Sequence, residues 1–236
     1  MKILAFDSSG LVASVAVLEE EQMVAEYTVN YKKTHSQTLL PMLDEVVKMT
    51  ELDLHEIDAI AVAAGPGSFT GLRIGSATAK GLGLALDKPL VPVPTLEGLA
   101  FNLCGCPDII CPMMDARRKQ VYTGLYTFVD GKMQILKSQT ACPVEEILDE
   151  CNAQGRKVIF LGDGVPVYRS IIEEKMTVPY AFAPAHMSRQ RAGAVGMRAF
   201  DYIHENKTET AAEHAPVYLR KSQAERELLA KGKTLE

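Results

Sequence analysis

Ile57-Asp58-Ala59-Ile60-Ala61-Val62-Ala63-Ala64-Gly65-Pro66-Gly67-Ser68-Phe69-Thr70-Gly71-Leu72-Arg73-Ile74-Gly75 is the stretch that decides the fold of this 236-residue chain. Its first part, Ile57 to Ala64, is nearly all apolar, as expected of a strand buried on both faces. Glycines directly after a strand let the backbone turn tightly and approach a partner closely. A helix that begins there presents free N–H groups to an anion. No Gly-Lys-Ser/Thr completes a lysine-containing phosphate loop, and the spacing is not a clean dinucleotide fingerprint. The stretch reads as strand, turn and close-packed helix, with phosphate binding through Gly65, Gly67 and Ser68 left open.

Working outward, Lys2 to Phe6, Ala13 to Leu18 and Met23 to Tyr31 predict a three-strand meander. A helix from Thr34 to Thr50 follows, with Thr34 as N-cap and Gln37 completing a capping box. After the glycine stretch come a helix from about Leu72 to Leu86 and a strand from Leu90 to Pro94. The second half repeats the order. Strands are expected over Ile109–Met114, Gln120–Phe128 and Lys132–Thr140, then a helix over Pro143–Ala153 and a strand over Lys157–Leu161. Gly162-Asp163-Gly164 and helices over Val167–Lys175 and Arg189–His204 complete it. The repeated order predicts a duplicated α/β fold of two lobes, 1–105 and 106–220, followed by a polar tail, 221–236.

In such an actin-like, ribonuclease H-like architecture, shared by sugar kinases, actin and heat-shock chaperones, a cleft separates the lobes. Asp7-Ser8-Ser9 ends the first strand, and Asp115-Ala116-Arg117 stands in the same place in the second half. Asp7 either faces the cleft near metal and phosphates or caps its own turn. A net charge of −5 argues against an electrostatic grip on nucleic acid by this chain alone. The basic residues Arg220, Lys221, Arg226, Lys231 and Lys233, interleaved with acids, read as part of a solvated tail, with a tRNA-contacting arm as the lesser alternative. Without a signal peptide or an apolar run of ~18 residues, a cytoplasmic protein with no membrane contact is expected. The five cysteines read as reduced thiols, and Cys104-Gly105-Cys106 with Cys111 lacks a fourth zinc ligand.

Two helices look built for a partner. Leu39, Leu40, Met42, Leu43, Val46, Val47 and Met49 span about 180° of the first, wider than burying one face requires. Gly75, Ala79 and Gly83 form a small-residue ridge on the next, which either packs on its own sheet or lets a second subunit approach closely. Catalytic groups are missing. A metal pair starting at His35 would need a second ligand at position 39, which is Leu. No His or Asp is placed by sequence to activate Ser68, and no nucleophile elbow is present, so peptidase chemistry has no basis.

The segments Ile3-Leu4-Ala5-Phe6-Asp7-Ser8-Ser9, Thr34-His35-Ser36-Gln37, Gly65 to Gly75, Val93-Pro94-Thr95-Leu96-Glu97 and Met114-Asp115-Ala116-Arg117-Arg118 together resemble the bacterial TsaB family. The resemblance implies a non-catalytic subunit that activates the TsaD transferase in forming threonylcarbamoyladenosine on tRNA, with His35 at the first metal-ligand position of TsaD and Leu39 in place of the second. It also implies a TsaD heterodimer joined by TsaE, a homodimer when alone, and tRNA met only through the complex. No cofactor of its own is firmly implied; ATP or ADP belongs to the complex. The expected partner surface is His35, Leu39, Leu40, Met42, Leu43, Val46, Arg73, Ser76, Ala79, Lys80 and Gly83. Asp7, Ser8, Ser9, Gly65, Gly67 and Ser68 would be a vestigial nucleotide site. The competing reading is an ATPase or kinase with its own cleft chemistry.

Overall fold

A computed structural model of the chain describes residues 1–220. Strands β1 (Lys2–Asp7), β2 (Ala13–Glu19) and β3 (Gln22–Val29) form an antiparallel meander. Helix α1 (His35–Thr50), strand β4 (Ala59–Gly65), helix α2 (Phe69–Leu86) and strand β5 (Leu90–Pro94) follow. The sheet order is β3-β2-β1-β4-β5, with β4 and β5 parallel to β1. Helix α3 (Thr95–Phe101) leads into β6 (Ile109–Asp115), β7 (Gln120–Val129), β8 (Lys132–Pro143), α4 (Val144–Ala153), β9 (Val158–Leu161), α5 (Gly164–Lys175), β10 (Tyr180–Phe182) and α6 (Ala192–His204). The second sheet has the order β8-β7-β6-β9-β10. The same five-strand order in both halves makes this a duplicated, actin-like α/β fold of two lobes.

Side-chain alternation decides what covers each face of the first sheet. Leu4, Phe6, Val15, Val17, Ile60 and Val62 face α1 and α2, where Leu39, Met42, Leu43 and Val46 meet them. The opposite face carries Ile3, Ala5, Ala16, Ala59, Ala61 and Ala63. So many alanines leave a shallow surface that a thin helix can approach. That helix is α6, whose Ala192, Val195, Ala199 and Phe200 complete the core. A Cβ on Gly196 would lie 2.3 Å from a Leu18 methyl and 3.2 Å from Ala5 Cβ, so glycine suits this close approach. The expectation of a second lobe over 106–220 is therefore corrected at its end. By packing, α6 belongs to the first lobe, as does Ala211 in the α1–α2 core.

The second lobe packs α4 and α5 on one face through Ile147, Leu148, Val165 and Ile172. Its other face receives α3, whose Leu96, Leu99 and Ala100 meet Ile110, Tyr126 and Phe128. The helices that cover the inner faces thus come from the opposite halves of the chain. They touch each other: Gly98 approaches Val195, and Arg198 Nε donates to Glu97 Oε2 at 2.8 Å with both residues buried.

Three local expectations are corrected. The capping box does not form: the Thr34 side chain makes no cap bond, and only its carbonyl accepts from Gln37 N–H. Helices α2 and α5 begin three residues earlier than expected, at Phe69 and Gly164. Glycine and proline suit a first helical turn, where N–H groups lack helical partners. The short α3 and β10 carry no period long enough to read. Among the described residues no helix is long and apolar enough to cross a membrane, and none of the five cysteines forms a disulfide.

Candidate functional site

The two Asp-bearing turns are built alike. Asp7 Oδ1 accepts from Ser9 N–H at 2.8 Å, and Asp115 Oδ1 accepts from Arg117 N–H at 2.9 Å. Each closes an Asx turn at the end of the first strand of its lobe. They differ in access. Asp7 is 1% exposed, and its carboxylate also takes the Ser9 hydroxyl at 2.6 Å. Burial pushes its pKa up to about 6, against the lowering effect of the Ser9 bonds. Asp7 is therefore a turn-former sealed beneath Ser9, and the cleft-facing alternative is corrected.

The glycine stretch serves the same turn. Ser8 Oγ donates to Gly71 O at 2.8 Å, and Ser68 N–H donates to Ser9 O at 2.7 Å. A Cβ would lie 2.3 Å from Ser9 O at Gly67, 2.0 Å from Ser8 O at Gly71 and 2.4 Å from Ser8 Oγ at Gly75. Gly65, at φ +118°, would drive a Cβ into Val217 O. The glycines let the Ser8–Ser9 turn and the Val217 backbone approach this stretch closely, while Gly65 N–H donates to Thr95 Oγ1 at 3.1 Å. Ser68 is the N-cap of α2, its Oγ accepting from Gly71 N–H at 3.3 Å. His35 Nε2 bonds Gly10 O at 2.8 Å, and Leu39 is 1% exposed in the core.

The expected partner surface is brought together only in part. Leu39, Met42, Leu43, Val46, Ser76, Ala79 and Gly83 are buried in the chain's own first lobe. The Gly75-Ala79-Gly83 ridge packs inward, on Ser8, Val62 and Leu90. Arg73 lies 4.0 Å over the Phe69 ring and donates to the Tyr218 hydroxyl. Lys80 Nζ donates to the carbonyls of Ala212 and His214. Leu40 remains exposed at 55%. The outward ridge of α2 is offset from the expected one, at Ala77, Gly81 and Ala85, and a Cβ on Gly81 would meet nothing within 4 Å.

A cavity of about 470 Å³ lies between the lobes. Ser9, Gly67 and Ser68 line it from the first lobe, Asp115, Arg117 and Asp163 from the second. The segment after α6 crosses it. Val217 N–H donates to Ala64 O, the Tyr218 ring stacks on Phe69 at 4.8 Å, and Arg220 Nη1 donates to Ala116 O at 2.6 Å. Arg220 is thus no part of a solvated tail; Lys221, Arg226, Lys231 and Lys233 lie outside the described residues. Asp163 Oδ1 is buried with no hydrogen-bond partner among the described residues, and burial raises its pKa. No three His, Cys, Asp or Glu side chains among the described residues converge as metal ligands.

One part of the cleft rim was not legible as structure. Gln120 N–H donates to Arg117 O at 3.1 Å, closing a turn whose central residues, Arg118 and Lys119, have φ of +57° and +56°. Arg117 is itself at +65°. Two positive-φ central residues make a type I′ turn, which sequence signals through Asn and Gly. Here the turn is written in arginine and lysine, at roughly 1–2 kcal/mol of backbone strain per residue. Tyr168 holds it from below, its hydroxyl donating to Asp115 Oδ1 at 2.8 Å and lying 3.2 Å from Gln120 O.

Duplicated topology, an interlobe cleft and Asp turns at equivalent strand ends define a protein of the actin-like class. The family profile of the tRNA N6-adenosine threonylcarbamoyltransferase TsaD matches residues 22–228. The tRNA threonylcarbamoyladenosine biosynthesis protein TsaB of Bacillus subtilis is 33% identical over 95% of this chain and 96% of its own. Its Escherichia coli namesake is 30% identical over 98% of this chain and 100% of its own. YeaZ from Pseudomonas aeruginosa superposes with a TM-score of 0.77 at 29% identity, over 92% of this chain and 99% of that one. The chain belongs to the TsaB family.

Proposed function

We propose that this chain is a non-catalytic, activating subunit of the machinery that forms N6-threonylcarbamoyladenosine on tRNA, and that it dimerises with a TsaD-like transferase. The relatives' printed names support the pathway. The observation that carries the non-catalytic part is the sealing of the first-lobe turn. Asp7 is 1% exposed, His35 is bonded to Gly10 O, Leu39 is buried, and Ser68 is a helix cap. Each group that could have done chemistry there is occupied in holding the backbone. TsaE-like and homodimer partners belong to the same reading, with ATP or ADP entering at the level of the complex.

The partner surface we propose is the exposed side of α1 and α2 around Leu40 and Gly81. Leu40→Glu with Gly81→Trp is expected to abolish capture of the transferase while circular dichroism stays unchanged and the melting temperature does not fall. Ala79→Trp and Leu43→Glu are expected instead to destabilise the first lobe, by overpacking and by burying an unpaired charge. Reconstituted tRNA modification with and without the full chain is the deciding assay. Modification at an equal rate without it sinks the proposal. ATP turnover by the pure chain would favour the ATPase reading.

A further inference from the structure

We infer that the Arg117-Arg118-Lys119 turn is a direct contact of this chain with the phosphodiester backbone of RNA. The inference rests on the tRNA pathway proposed above and adds a docking surface to it. Three consecutive cations stand in the turn between β6 and β7, the first of them, Arg117, lining the cleft, in a chain whose net charge is −5. All three are exposed, and Arg117 carries 88% of its side-chain surface in solvent. Among the described residues no salt bridge engages Arg118 or Lys119; Arg117 has a 3.6 Å contact to Asp115. Glu145 and Glu146 open the adjacent helix α4, yet neither pairs with the turn among the described residues.

The backbone is what separates this cluster from ordinary surface lysines. Left-handed φ at 117, 118 and 119 is a strained arrangement for side-chain-bearing residues, and glycine or asparagine would relieve it. The strain persists because the turn is held from several sides. Ala116 N–H donates to Gln120 O, Val144 N–H to Lys119 O, and Arg220 to Ala116 O, with Tyr168 beneath. A rigid hairpin tip presenting two guanidinium groups and an ammonium suits phosphate oxygens, which guanidinium binds in a fork. An acidic protein surface would also attract the charges, but the pathway's macromolecular substrate is a polyanion.

The test uses the full chain with its TsaD-like transferase and unmodified tRNA, titrated at several salt concentrations. Arg118→Gln with Lys119→Gln is expected to weaken tRNA binding about tenfold and to lower the slope of log K against log salt by about 1.5, the share of two phosphate contacts. Arg118→Gly with Lys119→Gly relieves the backbone, so its melting temperature should rise by roughly 2–4 °C while tRNA affinity falls equally. That pairing separates lost contact from lost fold. Unchanged affinity and slope in an intact heterodimer overturn the inference. So does loss of the heterodimer in the glutamine variant alone, which would make the turn a protein contact. If the wild-type proteins never associate, the function proposed above fails; the same titration of the full chain alone at low salt then decides the turn, with an unaltered slope counting against it.

Discussion

Burial of the Asp7 carboxyl gives the first lobe a pH dependence of its own. With a folded pKa of about 6 against 3.8 for the free group, the folded chain holds this proton more tightly than the unfolded one. Its contribution to stability is fully present below pH ~4 and is lost as pH rises through 6. Asp7→Asn keeps an acceptor for Ser9 and carries no charge. It should therefore gain about 1–3 kcal/mol over wild type at pH 7.5 relative to pH 4.5, read by urea denaturation. An equal gap at both pH values would show that the wild-type carboxyl is not paying for desolvation. Asp7 and Asp115 were legible as a repeated motif, because aspartate at a strand end has few roles. Which of them is sealed was not, since that depends on the Ser8–Ser9 loop meeting Gly71, 63 residues along the chain from Ser8.

At the scale of elements, α2 carries glycines of two kinds. Gly81 faces open space and has ordinary helical backbone, so Gly81→Ala should stabilise the protein by about 1 kcal/mol. Gly75→Ala puts a methyl 2.4 Å from the buried Ser8 hydroxyl and should cost about 1–3 kcal/mol. Thermal melts should rank Gly81→Ala above wild type and Gly75→Ala below it. The small-residue ridge was visible in the sequence at four-residue spacing. Its direction was not, because Gly75-Ala79-Gly83 and Ala77-Gly81-Ala85 are both small and differ only in which one meets Ser8 and Leu90. The wide apolar face of α1 was read correctly as a pattern, yet most of it lies against β1, β2 and β4, and Leu40 and Met49 are the large apolar residues left exposed.

In the whole molecule the lobes are tied by α3 and α6. Glu97 and Arg198 are 6% and 7% exposed, and the Tyr202 hydroxyl donates to the same carboxylate at 2.9 Å. Glu97→Ala leaves a buried guanidinium with only Asp201 beside it, and should cost about 3–5 kcal/mol in denaturant unfolding. The duplicated strand order was legible because each half repeats its periodicities. The exchange of inner helices was not, since hydrophobic period says which face of α6 is buried and nothing about which sheet buries it. That exchange has a consequence for synthesis. The strands made first wait for a helix made near the end, so on the ribosome Ile3, Ala5 and Leu18 stay uncovered until residue 200 has emerged. A chain stopped at 191 would lack the helix that covers this face and would leave it open to chaperones and proteases.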